Sequence, residues 1–205
     1  MPVRSPRLKI VRRLATQLPG LTRKMPSESS AQSAAPRTGA RRHRKPSAYR
    51  LRLEEKQKLR FNYGVTEGQM RRYLATARRQ PGDVGENLLA LLERRLDSVV
   101  FRLGFAPTIP GARQMVVHGH VRVDGRRLDR PGYLVEIGDL VSLSPAARER
   151  ASLRPDSENV PRLRMPSHLR SDPDADFRAR VVSTPSRGDV PLPVREALVI
   201  EFYAR

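Results

Sequence analysis

Apolar residues recur at steps of three and four between positions 85 and 103, which is the spacing of one face of an α-helix. The positions are Leu89, Leu92, Leu96, Val99, Val100 and Leu103. Asp83 and Glu86 stand at the start of this run, in a pattern typical of a helix N-terminus. The sequence therefore predicts one long helix over 85–103, and its apolar face makes it the principal core helix.

Three further amphipathic stretches predict helices over 7–15, 47–63 and 66–80. The second and third begin with Ser47 and Thr66, which are favoured N-cap residues. Basic side chains occupy the outer sides of both, so the two helices are expected to form a positively charged wall. The first helix has only a thin apolar stripe, and little of residues 1–45 has the apolar content to belong to a core.

Residues 109–128 predict a short helix followed by a β-hairpin. Thr108 suits the N-cap and Gly119 the end of the helix. Asp124 and Gly125 suit the turn of the hairpin, because a type I′ turn needs positive φ at both central residues. The unit offers one apolar face and one cationic face, and the cationic side chains are Arg113, His118, His120, Arg122, Arg126 and Arg127.

Alternating or continuous apolar residues predict two more strands, over 133–137 and 140–143, joined at Gly138 and Asp139. From Pro145 onward the chain is rich in proline and arginine, which predicts mostly irregular structure. The last ten residues, 196–205, are β-prone and apolar enough to return to the body of the protein as a strand.

Together these elements predict an α+β fold, with an N-terminal helical domain, then a small helix-plus-hairpin module with a short β-sheet, and a C-terminal segment returning to the body. The expected divisions are a basic arm and linker over 1–46, the helical domain over 47–83, the module over 84–145, and a Pro/Arg-rich segment with a C-terminal strand over 146–205. Residues 26–39 read as a flexible connection, with a transit peptide as the alternative.

The net charge of the chain limits the kinds of partner that it can bind. The net charge is +19, and residues 1–80 hold 21 Lys and Arg against 4 Asp and Glu, whereas residues 81–205 hold 19 against 17. Such a field attracts polyanions. Nucleic acid is the favoured partner, ahead of an anionic membrane surface or an acidic protein. The cluster RRHRK at 41–45 is interpreted as a phosphate-binding arm rather than a solvated charge run.

Arginine outnumbers lysine by 35 to 5. Codon usage in a GC-rich genome is one explanation, and selection for forked phosphate contacts is the other. Arg94 and Arg95 are likewise open to two interpretations, as surface charges paired with Asp97 and Glu93 or as RNA contacts.

The sequence lacks the residues that disulfide bonds, metal sites and catalysis commonly require. The chain has no cysteine, which excludes disulfides and thiolate-bound zinc. His118 and His120 lack supporting carboxylates, so we predict no metal, no cofactor and no catalytic residue. No apolar run approaches the roughly 20 residues that span a bilayer, and the expectation is a soluble, intracellular protein.

A cationic face on a compact helix-hairpin unit suits structured RNA, whose backbone and 2′-hydroxyls are recognised by shape. The predicted RNA-binding residues are Arg41, Arg42, Arg44, Lys45, Arg50, Lys56, Lys58, Arg60, Arg71, Arg72, Arg94, Arg95, Arg113, His118, His120, Arg122, Arg126 and Arg127.

The stretches GARQMVVHGHVRVDGRRL and GYLVEIGDLVSL resemble the RNA-binding module named after ribosomal protein S-four. That module also occurs in pseudouridine synthases, a tyrosyl-tRNA synthetase and a heat-shock RNA binder. The flanks YRLRLEEKQKLRFNYGV, GENLLALLERRLDSVVFRLGF and VIEFYAR are similar to the ribosomal family itself. The segments VRRLATQLPGLTRK and TIPGARQ look like its cyanobacterial and plastid members.

The resemblance implies a primary binder of small-subunit rRNA that grips a multi-helix junction, nucleates assembly of the subunit body and contributes to translational accuracy. It also implies ribosomal protein S-five and other small-subunit proteins as partners, with mRNA near its entry site, and a location on the ribosome in the cytoplasm or a plastid. Many relatives carry N-terminal cysteines for a metal or cluster, which this chain lacks. The alternatives are an RNA-modifying enzyme, for which no catalytic domain is visible, and a free regulatory or chaperone-like RNA binder.

Overall fold

The computed structural model of the chain describes residues 6–22, 47–149, 163–173 and 177–204. Its helices are α1 (Arg7–Leu14), α2 (Ala48–Tyr63), α3 (Glu67–Ala77), α4 (Val84–Glu93), α5 (Leu96–Arg102), α6 (Ile109–Val117), α7 (Pro145–Arg148) and α8 (Glu196–Tyr203). Its strands are β1 (Val121–Val123), β2 (Arg126–Arg127), β3 (Leu140–Leu143), β4 (Leu169–Ser171) and β5 (Arg178–Val181).

Four helices begin at the caps that the sequence predicts. The side-chain oxygens of Ser47, Thr66, Asp83 and Thr108 each accept a hydrogen bond from a backbone N–H in the first turn. Such bonds satisfy amide groups that have no partner inside the helix. The predicted starts of α2, α3, α4 and α6 are therefore confirmed.

The prediction of one helix over 85–103 is wrong, because the helix is interrupted between α4 and α5. Arg95 has an extended backbone at this point, with ψ of 138°. The Leu96 N–H donates to the carbonyl of Tyr133 at 2.8 Å, and the Val135 N–H donates to the carbonyl of Arg94 at 2.9 Å. A distant loop thus takes over the hydrogen bonds that a continuous helix would make for itself.

The same contact explains why the strand predicted over 133–137 is also wrong. The backbone of this segment is bound to the helix break, and within the described ranges its one ladder contact is an isolated bridge between Arg95 and Leu134. The neighbouring prediction over 140–143 is confirmed, since Leu140–Leu143 forms β3.

The five strands form one antiparallel sheet in the order β2-β1-β3-β5-β4. The predicted hairpin turn is confirmed, because Asp124 and Gly125 have φ of 48° and 76°. β4 and β5 lie in the region predicted to be mostly irregular, and they add two strands to the expected sheet. α5 and α6 cover one face of it, and their Val99, Val100, Ala112 and Val116 join a core cluster with the apolar side chains of β1 and β3.

A second core cluster contains buried side chains of α1, α2, α3, α4 and α8 and of the loop before α8. The expectation that residues 1–45 contribute little to a core is wrong. Five apolar side chains of this stretch are buried: Ile10, Val11, Leu14, Leu18 and Leu21. The Ile109 N–H also donates to the Gly20 carbonyl at 2.7 Å, which ties the N-terminal stretch to the start of α6.

The C-terminal strand predicted over 196–205 is wrong as well, because Glu196–Tyr203 is helical. Val199 is fully buried against the helices of the N-terminal core, and Ile200 and Tyr203 pack against the same cluster. Spacings of three and four along this segment suit a helix face, and packing overrides the β-propensity of its residues.

Candidate nucleic-acid interface

The side of the sheet opposite α5 and α6 carries a row of arginines. In the strand register Arg122 lies between Arg127 of β2 and Ser142 of β3, and Ser142 is paired in turn with Arg178 of β5. Directly paired residues of antiparallel strands point to the same face. Arg122 is exposed between the buried Val121 and Val123, and Arg127 is exposed as well, whereas Arg178 is half-buried and Ser142 is buried. The arginines of this row are therefore the side chains that reach solvent.

A second row lies two residues further along the strands. Arg180 of β5 is paired with Leu140 on one side and with Arg170 of β4 on the other. Strands of a sheet lie about 4.8 Å apart, so the first row extends over about 14 Å and the second over about 10 Å. We call this surface the arginine face, and its members are Arg122, Arg127, Arg170, Arg178 and Arg180.

Most of this charge is not neutralised by the protein. Arg178 lies 3.5 Å from a carboxylate oxygen of Asp172, and Arg180 donates to the carbonyl of Gly138 at 3.0 Å. Among the described residues, no salt bridge within 4 Å involves Arg122, Arg127 or Arg170. Three forked donors are therefore available to an anion.

The helix-to-strand junction places two histidines beside Arg127 at the edge of the arginine face. Gly119 has φ of 74°, and the guanidinium of Arg127 lies directly over it, in the space that a side chain at this position would fill. The rings of His118 and His120, on either side of Gly119, have centroids 6.1 Å apart. Glycine suits this position because its φ lies in the left-handed region, which residues with a side chain rarely adopt.

Arg113 of α6 is partly free. Its side chain is 44% exposed, and its Nη1 lies 3.6 Å from Oδ2 of Asp97. It can therefore reach a ligand in solution, as predicted from the helix wheel, although it also contributes to the field around a buried carboxylate.

The predicted wall on α2 and α3 is partly neutralised. Arg50 pairs with Glu54 at 2.8 Å, and Lys58 pairs with Glu55 at 2.7 Å. Glu67 lies 3.4 Å from Nη1 of Arg60. Of the other basic residues predicted on these helices, Arg71 and Arg72 are exposed.

Lys56 is the first correction to the predicted site. Its side chain is buried, with Nζ 3.2 Å from Oε2 of Glu67 and 4.1 Å from the ring centroid of Phe202. It joins α2 to α3 and α8, so it is not available to RNA. The helix periodicity could not reveal this, because Lys56 is partly buried by Phe202 of a C-terminal helix that was predicted to be a strand.

Arg95 is the second correction. Its side chain has no exposed area and donates to both carboxylate oxygens of Asp97 and to the hydroxyl of Tyr73. Burial raises the pKa of Asp97 above its ordinary value, although the neighbouring guanidinium of Arg95 acts in the opposite direction. Arg94 is half-buried and donates through Nε to the carbonyl of Val135 at 2.9 Å. Both arginines therefore stabilise the break between α4 and α5.

Sequence reasoning missed Arg170, Arg178 and Arg180. The signal was present in the segment Arg178-Ala179-Arg180-Val181, which alternates basic and apolar residues as Val121-Arg122-Val123 does. The surrounding proline-rich composition concealed it. Four predicted residues, Arg41, Arg42, Arg44 and Lys45, lie outside the described part of the chain.

The described ranges contain no group of three or more His, Cys, Asp or Glu side chains arranged to hold a metal ion. No helix within those ranges is long and apolar enough to cross a membrane.

The helical N-terminal part and the module that follows it each match a known family. Residues 2–93 match the Ribosomal protein S4/S9 N-terminal domain, and residues 94–141 match the S4 domain. The two matches meet at the break between α4 and α5. They define a protein of the ribosomal S4 class.

Comparison over the full length gives the particular family. The chain is 48% identical to small ribosomal subunit protein uS4 of Thermosynechococcus vestitus over 202 residues, which are 98% of this chain and 97% of the relative. Identity to the protein of the same name from Synechocystis sp. is also 48%, with the same coverage. For Synechococcus sp. strain JA-3-3Ab it is 47% over 201 residues, 98% of this chain and 96% of the relative. The chain belongs to the small ribosomal subunit protein uS4 family, and the resemblance found in its sequence is confirmed.

Proposed function

We propose that this chain is a structural constituent of the small ribosomal subunit and binds small-subunit rRNA through the arginine face. The observation that carries the proposal is the strand register, which gathers five arginines from four strands on one solvent-facing surface. Guanidinium forks match phosphate geometry and bind it in bidentate fashion. A row of such forks suits the phosphates that border a folded RNA helix.

Further contacts are proposed around this surface. His118, His120 and Arg113 extend it along α6 and the start of β1, and Arg71 and Arg72 supply exposed charge on α3. This arrangement supports recognition of an rRNA junction by its backbone and shape, with the chain acting as a binding protein without catalysis or a cofactor.

The family resemblance supports finer roles. We expect the protein to bind early in assembly, to contact ribosomal protein S-five, to lie near the mRNA entry and to influence translational accuracy. Its place is the ribosome, in the cytoplasm or in a plastid if the gene is organellar.

Co-sedimentation tests the function as a whole. The tagged full-length chain, expressed in cells, should be recovered with small subunits from a sucrose gradient after high-salt washing. Recovery only in ribosome-free fractions would overturn the proposal and favour a free regulatory or chaperone-like RNA binder.

A further inference from the structure

A second candidate site lies on the opposite core, between α3 and the C-terminal end of α8. It is a cleft of about 390 Å³, lined by Arg71, Leu74, Ala75, Arg78, Phe202 and Tyr203. Three α3 residues and Arg78, which caps the C-terminal end of α3, are spaced at i, i+3, i+4 and i+7, so they form one helix face. Arg71 and Arg78 stand at its two ends, about 10 Å apart along the helix axis.

The aromatic side of the cleft is held in position before any ligand binds. The Tyr203 hydroxyl donates to Glu67 at 2.8 Å. Phe202 lies edge-on to Tyr203, with ring centroids 5.4 Å apart, and also contacts the ring of Tyr49 at 5.8 Å. Lys56 lies over the Phe202 ring. Both rings are nevertheless partly exposed.

The two arginines at the ends of the cleft are poorly neutralised by carboxylates. Arg71 has a 72% exposed side chain, and its nearest carboxylate oxygen, on Glu67, is 4.0 Å away. That carboxylate already serves Lys56 and Arg60. Arg78 is exposed, and among the described residues it takes part in no salt bridge.

We infer that this cleft binds one unstacked nucleotide of the rRNA, with its base against Phe202 and Tyr203 and its phosphates at Arg71 and Arg78. Unpaired bases splayed from a folded RNA are commonly held by aromatic side chains, and arginines bind the adjoining backbone. A segment of another protein is the competing occupant. Arg71 and Arg78 favour the polyanion, because the carboxylate of Glu67 near Arg71 also pairs with Lys56 and Arg60. The inference rests on the proposed function, because it specifies where a single-stranded element of the same RNA is held.

The test uses the full-length protein and small-subunit rRNA, with affinity measured over a range of salt concentrations. Phe202→Leu should weaken binding about 5- to 100-fold and leave the salt slope unchanged, because a stacking contact is lost. Phe202→Tyr keeps a ring and should retain affinity. Arg78→Ala should weaken binding and flatten the slope by about 0.7, the value for a single-strand phosphate. Arg79→Ala is the matched control for an exposed arginine next to Arg78 but outside the lining.

A second variant guards against simple unfolding. Ala75→Leu fills the cleft from an exposed position on α3, where leucine is a good helix former, and should reproduce the loss of affinity with an unchanged melting temperature. Chemical probing should show one nucleotide that is protected by the wild-type protein and becomes reactive with Phe202→Leu.

The outcomes separate this inference from the proposed function. If the wild-type protein does not bind the rRNA, the proposed function fails. If it binds and both Phe202→Leu and Ala75→Leu bind equally well, only the nucleotide site is overturned. Unchanged rRNA affinity with loss of a neighbouring protein from reconstituted subunits would overturn it in favour of a protein contact.

Discussion

Arg95 and Asp97 form a fully buried ion pair at the break between α4 and α5, with Nη2 2.6 Å from Oδ2 and neither side chain exposed. A second bond joins Nε to Oδ1 at 3.0 Å, so the guanidinium and the carboxylate face each other edge to edge. The pair lies where residues 131–135 cross the helix break, between the two core clusters. It therefore fixes the junction of the helical part and the sheet module.

Removing one member of this pair should be costly. Asp97→Asn leaves the charge of Arg95 buried without its counter-ion, and such a loss destabilises a protein by about 3–5 kcal/mol. Urea unfolding measures the change. Asp129→Asn, at an exposed position, is the control and should change stability by less than about 0.5 kcal/mol. An equally small effect at Asp97 would show that the pair does not hold the junction.

Arg113→Ala should separate RNA binding from stability. Because this side chain is 44% exposed and only 3.6 Å from Asp97, its loss should cost no more than about 1 kcal/mol. A lost phosphate contact should reduce the salt slope of log affinity by about one, uniformly across RNA sequences. If the melting temperature instead collapses while the folded fraction binds normally, Arg113 is structural.

Stability at low pH should depend on Asp189. Burial opposes its ionisation, but the bonds that its carboxylate accepts from Ser186 and Ser167 outweigh this and hold its pKa well below the ordinary value. A lowered pKa in the folded state stabilises the protein above the unfolded-state value of about 3.9. That contribution is lost as the pH falls from there through the folded-state pKa.

The variant Asp189→Asn should therefore be less stable than wild type at pH 7, by about 1–3 kcal/mol. The difference should shrink as the pH falls below about 4. Thermal unfolding from pH 7 to pH 2.5 measures it, with Asp129→Asn giving a difference near zero throughout. A constant difference for Asp189→Asn across this range would contradict the assignment.

Much of the helical architecture can be predicted from local sequence signals. The predictions that are wrong concern features that depend on residues far away in the sequence. The helix starts at Ser47, Thr66 and Thr108 can be predicted, because an N-cap bond joins residues within one turn. The break at Arg95 depends on a loop almost 40 residues away, which no local pattern encodes. The burial of Lys56 likewise depends on α8.

The same division applies to the candidate site. Arg122 and Arg127 were predictable, because the hairpin turn between them has a strong signal. Arg170 and Arg180 lie on short strands whose pairing is fixed only when β3 is in place. Short strands take their stability from cross-strand neighbours rather than from their own sequence.

Truncation tests how the N-terminal stretch is divided between core and arm. A chain that starts at Pro46 loses Ile10, Val11, Leu14, Leu18 and Leu21 from the core. Because each such side chain contributes about 1.5–3 kcal/mol when buried, the truncated chain should be several kcal/mol less stable in urea. A chain that starts at Pro6 is the control and should match the full-length protein. Equal stability of the Pro46 chain would show that the N-terminal stretch is dispensable for the fold.

Binding of rRNA by the arginine face can be tested with two variants of equal charge. One replaces Arg122, Arg127 and Arg170 by alanine, and the other replaces Arg7, Arg12 and Arg13, which are exposed on α1. Both lower the net charge by three, so a general attraction to RNA would affect them equally.

The deciding measurement is the affinity of each variant for small-subunit rRNA as a function of salt concentration. We expect the sheet variant to lose affinity and to flatten the salt slope by about two to three, which corresponds to about 0.7–0.9 for each phosphate contact. The α1 variant should change much less. Equal slopes for the two variants, or a larger loss for the α1 variant, would contradict this expectation.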